Sequence, residues 1–87
     1  MYQLVFGSQF LKAVGKLDKN IQSKLKASLD IFMENPFSPS LRTKPPTGKL
    51  SSHYSFRLGK DYRIIFKFIS KDKIHLLNIG NRKDIYS

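Results

Sequence analysis

The apolar positions of the chain follow two different periods. Residues 2–6, Tyr-Gln-Leu-Val-Phe, are β-branched and aromatic, which predicts a short opening strand broken by Gly7-Ser8. Phe10, Leu11, Val14 and Leu17 then recur at helical spacing with Lys12 and Lys16 on the other side, and Ser8 stands where a helix needs its N-cap. Gly15 keeps this helix short. Asp18 offers a second cap. Behind it Ile21, Leu25, Leu29, Phe32 and Met33 form the stripe of a longer amphipathic helix that ends at Asn35, before Pro36. Two helices joined so tightly form a hairpin whose apolar side needs a sheet to cover it.

Beyond residue 47 the period becomes two. Residues 54–58 alternate, with Tyr54, Phe56 and Leu58 facing one way and Ser55 and Arg57 the other. Gly59-Lys60-Asp61 makes a tight turn. Over 62–69, Tyr62, Ile64, Phe66 and Phe68 share one face while Arg63, Ile65, Lys67 and Ile69 share the other; apolar residues on both mark a central strand. After a turn at 70–73, residues 74–79 pair back before Gly80. The expected fold is α+β in the order β-α-α-β-β-β: a small antiparallel sheet with an N-terminal helical hairpin packed on one face. The whole of 1–87 reads as one domain. Between helices and sheet, residues 35–47 hold all four prolines and form a stiff, basic loop of a length that often carries function.

Composition narrows the chemistry. A domain of 87 residues buries only about 60–65% of its unfolded surface, and with no cysteine it has neither disulfides nor thiolate metal sites to help. Seven Phe and four Tyr must supply the core. No apolar run approaches the roughly 20 residues of a membrane span. The first ten residues lack the pattern of a signal peptide, so a soluble, cytoplasmic protein is expected. The net charge is +10. Eleven basic residues against three acids from Arg42 onward contribute most of it, and all four arginines lie there. A polyanionic partner follows, nucleic acid before acidic protein, with a merely solubilising basic surface as the plain alternative.

The absences exclude whole classes of reaction. No metal-ligand spacing, Gly-rich phosphate loop, Gly-x-Ser-x-Gly or carboxylate pair is present, so neither metal nor cofactor is implied. Strand parity places Arg57 and Arg63 on one sheet face, opposite Tyr54, Phe56, Ile64 and Phe66. Two adjacent cations point to a phosphate cleft, against the alternative of two separately solvated arginines, and Arg82 is near enough in the chain to join them. RNA offers a reaction that such residues can run without metal: a 2′-OH loses its proton and attacks the adjacent phosphorus, cations hold the phosphorane charge, and an acid protonates the departing 5′-oxygen. Tyr86 suits stacking or proton exchange but equally a packed anchor for the terminus. His53 is the imidazole nearest the cationic strand, or only the start of a surface strand. His75 reads as a packed or edge residue. Arg42, Lys44, Lys60, Lys67 and Lys83 extend the basic surface toward RNA binding.

The chain as a whole resembles the RelE/ParE superfamily of toxins from toxin–antitoxin modules. The resemblance is sharpest from Leu50 on: Tyr-Ser-Phe-Arg-Leu at 54–58, Asp-Tyr-Arg-Ile-Ile-Phe at 61–66, and Leu-Leu-Asn-Ile-Gly-Asn-Arg-Lys-Asp-Ile-Tyr at 76–86, closing on Gly-x-Arg/His-x-x-Val/Ile-Tyr. The superfamily's RelE branch consists of endoribonucleases that enter the ribosomal A site and cut mRNA. By this resemblance Arg57, Arg63 and Arg82 bind and polarise the scissile phosphate, and Tyr86 orients the mRNA or stacks on it. Where many relatives carry an imidazole this chain has Asn81 and Arg82, and its loop offers only Lys44 and Lys49. The general base is therefore unassigned between Lys49 and His53. The resemblance further implies a cognate acidic antitoxin, the ribosome with its mRNA as target, no membrane, and a free monomer that becomes a hetero-oligomer with its antitoxin. The alternatives are a ParE-like inhibitor of DNA gyrase and a basic RNA-binding homologue without catalysis.

Overall fold

A computed structural model describes residues 1–46 and 53–85. The elements run β1 (Gln3–Phe6), α1 (Ser8–Gly15), α2 (Lys19–Glu34), a 3-10 turn at Pro39–Leu41, β2 (Tyr54–Leu58), β3 (Tyr62–Ser70) and β4 (Lys73–Asn81). The α+β class and element order match the expectation from period. Sheet order is β1-β4-β3-β2, with β2, β3 and β4 an antiparallel meander. One pairing differs: β1 lies parallel to β4, Gln3 beside Lys73 and Phe6 beside Leu76, so the sheet is mixed rather than antiparallel. Alternation within a strand says which face is buried, not which neighbour it takes or in which direction.

Both helix starts follow from local hydrogen bonding. The Asp18 carboxylate accepts from the Ile21 N–H at 2.9 Å, a cap that contributes about 1 kcal/mol. Ser8 is not a cap. It is already the first helical residue, with Gly7 at the N-cap position and no side-chain cap bond. The Gly7 N–H donates to the Leu76 carbonyl at 2.9 Å, and this bond to β4 sets where the chain turns. At the other end of α1, the Gln22 amide donates to the Val14 and Leu17 carbonyls, tying the first turn of α2 to the end of α1.

The stripe of α2 packs on the sheet through Phe32, which is fully buried, stacks on Phe56 at 4.7 Å and meets Phe66 edge-on at 4.8 Å. Phe10, Leu25, Leu41, Ile64, Ile74 and Leu76 complete this layer. Between β1 and α2 an apolar groove of about 280 Å³ is lined by Leu4, Phe6, Leu25, Leu29 and Met33. Among the described residues no helix is long and apolar enough to cross a membrane.

The proline-rich loop is more ordered than its composition suggests. Pro36 and Leu41 are buried, and the Thr43 hydroxyl donates to the Pro36 carbonyl. Arg42 takes a left-handed backbone (φ 51°), an uncommon conformation for a residue other than glycine. Just beyond it, Lys44 exchanges both backbone hydrogen bonds with Ser55, at 2.8 and 3.2 Å. The loop thus adds one antiparallel rung outside β2.

Candidate phosphate-binding site

The helices cover one face of the sheet and leave the other to the residues that alternation points away from them. On that second face Arg57 of β2 stands directly opposite Arg63 of β3. The Lys44 rung fixes their spacing. Ser55 uses its N–H and C=O on Lys44, so toward β3 the Ser55–Ile65 pair is of the non-hydrogen-bonded kind. Two residues on, Arg57–Arg63 is of the same kind, with α-carbons about 4.5 Å apart and side chains at their closest. Like charges in that position destabilise a sheet.

Burial sharpens the conflict. Arg63 is only 8% exposed, and Arg57 is half-buried. Among the described residues, Arg57 Nε and Arg63 Nη1 are both shut off from solvent without a hydrogen-bond partner. A buried donor left unmet costs about 1–3 kcal/mol, more on a charged group. A phosphate oxygen between the two guanidinium groups would meet both donors and neutralise both charges. That arrangement is well matched to an anion.

The other strand beside Arg63 contributes a gap. Its partner on β4 is Gly80, and Ile85 folds back over that glycine: a Cβ there would lie 3.1 Å from Ile85 Cδ1. The tail that brings Ile85 back is built by Asn81. Its side-chain oxygen accepts from Lys83 N–H and its carbonyl from Asp84 and Ile85 N–H, each at 2.9 Å. Arg82 N–H donates to the Asp61 carbonyl at 2.7 Å, tying the tail to the turn between β2 and β3. Replacing Gly80 by Val should therefore lift Ile85 and loosen the tail. Trypsin should then cut after Arg82 and Lys83 several times faster than in the wild type, at nearly unchanged urea midpoint. Equal protection would mean that other contacts hold the tail.

The remaining sequence candidates separate. Arg57 and Arg63 are face to face, and Arg82 begins one residue beyond β4, exposed, at the same end of the sheet. Lys60 and Lys83 are exposed in the turn and tail nearby. His53 lies four residues before Arg57, roughly 13 Å along an extended strand, and is half-buried. Arg42 and Lys44 are exposed outside β2, and Lys67 is exposed on β3. Lys49 and Tyr86 lie outside the described residues. Gly80, Asn81 and Ile85 as builders of the site's rim were not evident from the sequence. The one signal was Asn-x-Lys directly after a strand-ending Gly, the composition of a side-chain-capped turn.

Residues 4–86 match the family described as ParE toxin of type II toxin–antitoxin system, parDE. The chain belongs to this toxin family. Among solved structures the toxin is similar to YafQ from E. coli, with a TM-score of 0.81 at 16% identity over 100% of both chains. It is similar to RelE in the archaeal RelE–RelB complex from Pyrococcus horikoshii, at TM-score 0.77 and 26% identity over 95% of this chain and 97% of that one. The YoeB/ParE toxin from Agrobacterium tumefaciens gives 0.76 and 14%, covering 92% and 98%. At 14–16% identity, YafQ and YoeB/ParE support the fold alone. No curated protein matches the sequence.

Proposed function

We propose that the toxin is a ribosome-dependent endoribonuclease that cuts mRNA without a metal ion and so stops translation in the cytoplasm. The observation behind this reading is the pair of buried, unpartnered guanidinium donors on Arg57 and Arg63. Holding two such cations together destabilises the free protein and becomes favourable when an anion arrives. A pentacovalent phosphorane carries more negative charge than the diester it forms from, so the same donors bind the transition state more tightly than the substrate. In the reaction the 2′-OH passes its proton to a base, O2′ bonds to phosphorus, and the bond to the 5′-oxygen breaks. A 2′,3′-cyclic phosphate and a protonated 5′-OH result. Arg82 adds a third cation, and Tyr86 orients the RNA. An arginine holds its proton too tightly to serve as the base. Lys49 remains a candidate, and His53 is disfavoured by its distance along the strand.

The toxin's partner in this reading is an acidic antitoxin that covers the cationic face in a hetero-oligomer; the Pyrococcus structure is likewise a complex, of RelE with RelB. A second reading, inhibition of DNA gyrase, is favoured by the ParE description of the matching family. Cleavage of mRNA on programmed ribosomes separates the two. Wild type should cut within the A-site codon, and Arg57→Ala and Arg82→Ala should each cut at least tenfold more slowly. Inhibition of supercoiling by a wild type that leaves mRNA intact would replace the nuclease reading with the gyrase one.

A further inference from the structure

The helix-free face carries cations beyond the arginine pair, and their order across the strands is regular. Paired residues share a face, so the sheet can be read in rows. The first row is Arg57, Arg63 and Gly80. The second begins with Lys44 on its rung outside β2 and continues through Ser55, Ile65 and Asn78. The third holds Lys67 and His75 as direct partners, with Val5 of β1 beyond.

His75 reaches this face only through an irregularity. The register shifts between Ile65 and Phe66, where β4 has the extra residue Leu77. In an unbroken ladder His75 would stand opposite Phe68, on the core side. The bulge places it opposite Lys67 instead, and bulges commonly re-aim side chains beside functional sites. Space for the ring comes from Gly7, where a Cβ would sit 2.9 Å from His75 Nε2.

Two further features say what this face would bind. All six acids lie on α2 or at its cap (Asp18, Asp30 and Glu34), in the turns at Asp61 and Asp72, or in the tail at Asp84, none of them within these rows. The strand aromatics Tyr54, Phe56, Tyr62, Phe66 and Phe68 belong to the opposite, helix-covered face. Among the described residues, the face therefore offers charge and an imidazole but no aromatic platform. Successive rows are two residues apart, about 6.6 Å, close to the spacing of successive phosphates along an extended single strand.

We propose that Lys67 and His75 form a second RNA subsite two rows from the arginine pair, with Lys44 outside β2 in the row between them, so that the face holds three consecutive phosphates of a single strand. This rests on the reading that the arginine pair takes an RNA phosphate. Recognition along the track is of backbone rather than base, and its affinity is correspondingly salt-dependent.

The test uses uncleavable 2′-O-methyl oligouridylates of two, four and eight nucleotides, without terminal phosphates, bound to the full-length toxin and followed by fluorescence anisotropy between 50 and 200 mM salt. Each neutralised phosphate contributes about −0.7 to the slope of log affinity against log salt. The slope should steepen from about −0.7 with the dinucleotide to about −2 with the tetranucleotide. Lys44→Ala and Lys67→Ala should each remove about 0.7 of it, and neither should change dinucleotide binding. His75→Ala should weaken only the longer oligonucleotides. Arg63→Ala should weaken all lengths. A wild type that binds four nucleotides no better than two overturns the subsite while leaving the arginine site standing. Binding of all lengths unaffected by Arg63→Ala removes both. If hexaglutamate binds with the same Lys67 and His75 dependence while the oligonucleotides do not bind, the face belongs to an acidic protein and the proposal is overturned.

Discussion

Under the proposed nuclease function, Arg63→Met should cut mRNA about two to three orders of magnitude more slowly than wild type and yet melt at a higher temperature. Both halves follow from the same geometry. Arg63 is almost fully buried, faces Arg57 across a close strand pair, and leaves Nη1 without a partner among the described residues. Methionine fills a similar volume with no charge and no donor to satisfy. Replacing buried ionic groups by apolar ones of like size commonly stabilises by about 1–4 kcal/mol. In a domain this small each kcal/mol is worth about 4–8 °C of melting temperature. In the proposed reaction the cleavage loss would come from removing one charged donor to the phosphorane, an interaction at its strongest in the transition state. Thermal unfolding by circular dichroism, set beside single-turnover cleavage on ribosomes, checks the pair. A variant that melts lower than wild type would mean that Arg63 is satisfied in the free toxin, and the anion-cradle account would lose its basis.

Phe32→Ala will consume most of the toxin's stability. Phe32 is fully buried where α2 crosses the sheet, with Phe56 stacked on one side and Phe66 edge-on at the other. Emptying such a site costs about 3–5 kcal/mol, through lost burial and the cavity left behind. Small domains have about 5–15 kcal/mol in total, and one of this length has no disulfide in reserve. Phe32→Leu, which keeps most of the volume, should cost about 1–1.5 kcal/mol. Equilibrium unfolding in urea should show both midpoints falling in that order at unchanged slope. Equal midpoints for the alanine variant and wild type would place the centre of the core elsewhere than at Phe32.

Much of this was legible in residue order. The 3.6-residue stripe from Ile21 to Met33 predicted α2 and the face it buries, because a helix repeats its direction at that interval whatever lies against it. Asp18 announced the start of that helix for an equally local reason. Alternation along 54–58 and 62–69 put Arg57 and Arg63 on the face away from Phe56 and Phe66, and the tight turn at 59–61 set their register. The family motifs at 54–66 and 76–86 pointed to a toxin fold before any contact was known, and the match over residues 4–86 agrees with them.

What escaped the sequence was everything that depends on a neighbour distant in the chain. The parallel pairing of β1 with β4 is set by how the helical hairpin returns, and β1's own residues suit either direction. Ser8 resembled a cap until the Gly7 hydrogen bond to Leu76 fixed the turn one residue earlier. The loop at 35–47 gave no sign that Lys44 would pair with Ser55 and join the cationic face. His75 lies between Ile74 and Leu76, and strict alternation back from Ile79 would set it on the core side. The three-residue step from Leu76 to Ile79 marked a fault in the period, but only strand pairing decides which face each side of the fault takes. Local periodicity determined the elements, their buried faces and the grouping of two arginines, because those depend on torsions a few residues long. The burial that leaves Arg57 Nε and Arg63 Nη1 without partners among the described residues, and the row of cations beside them, come from side chains brought together across the sheet, and only the tertiary structure decides them.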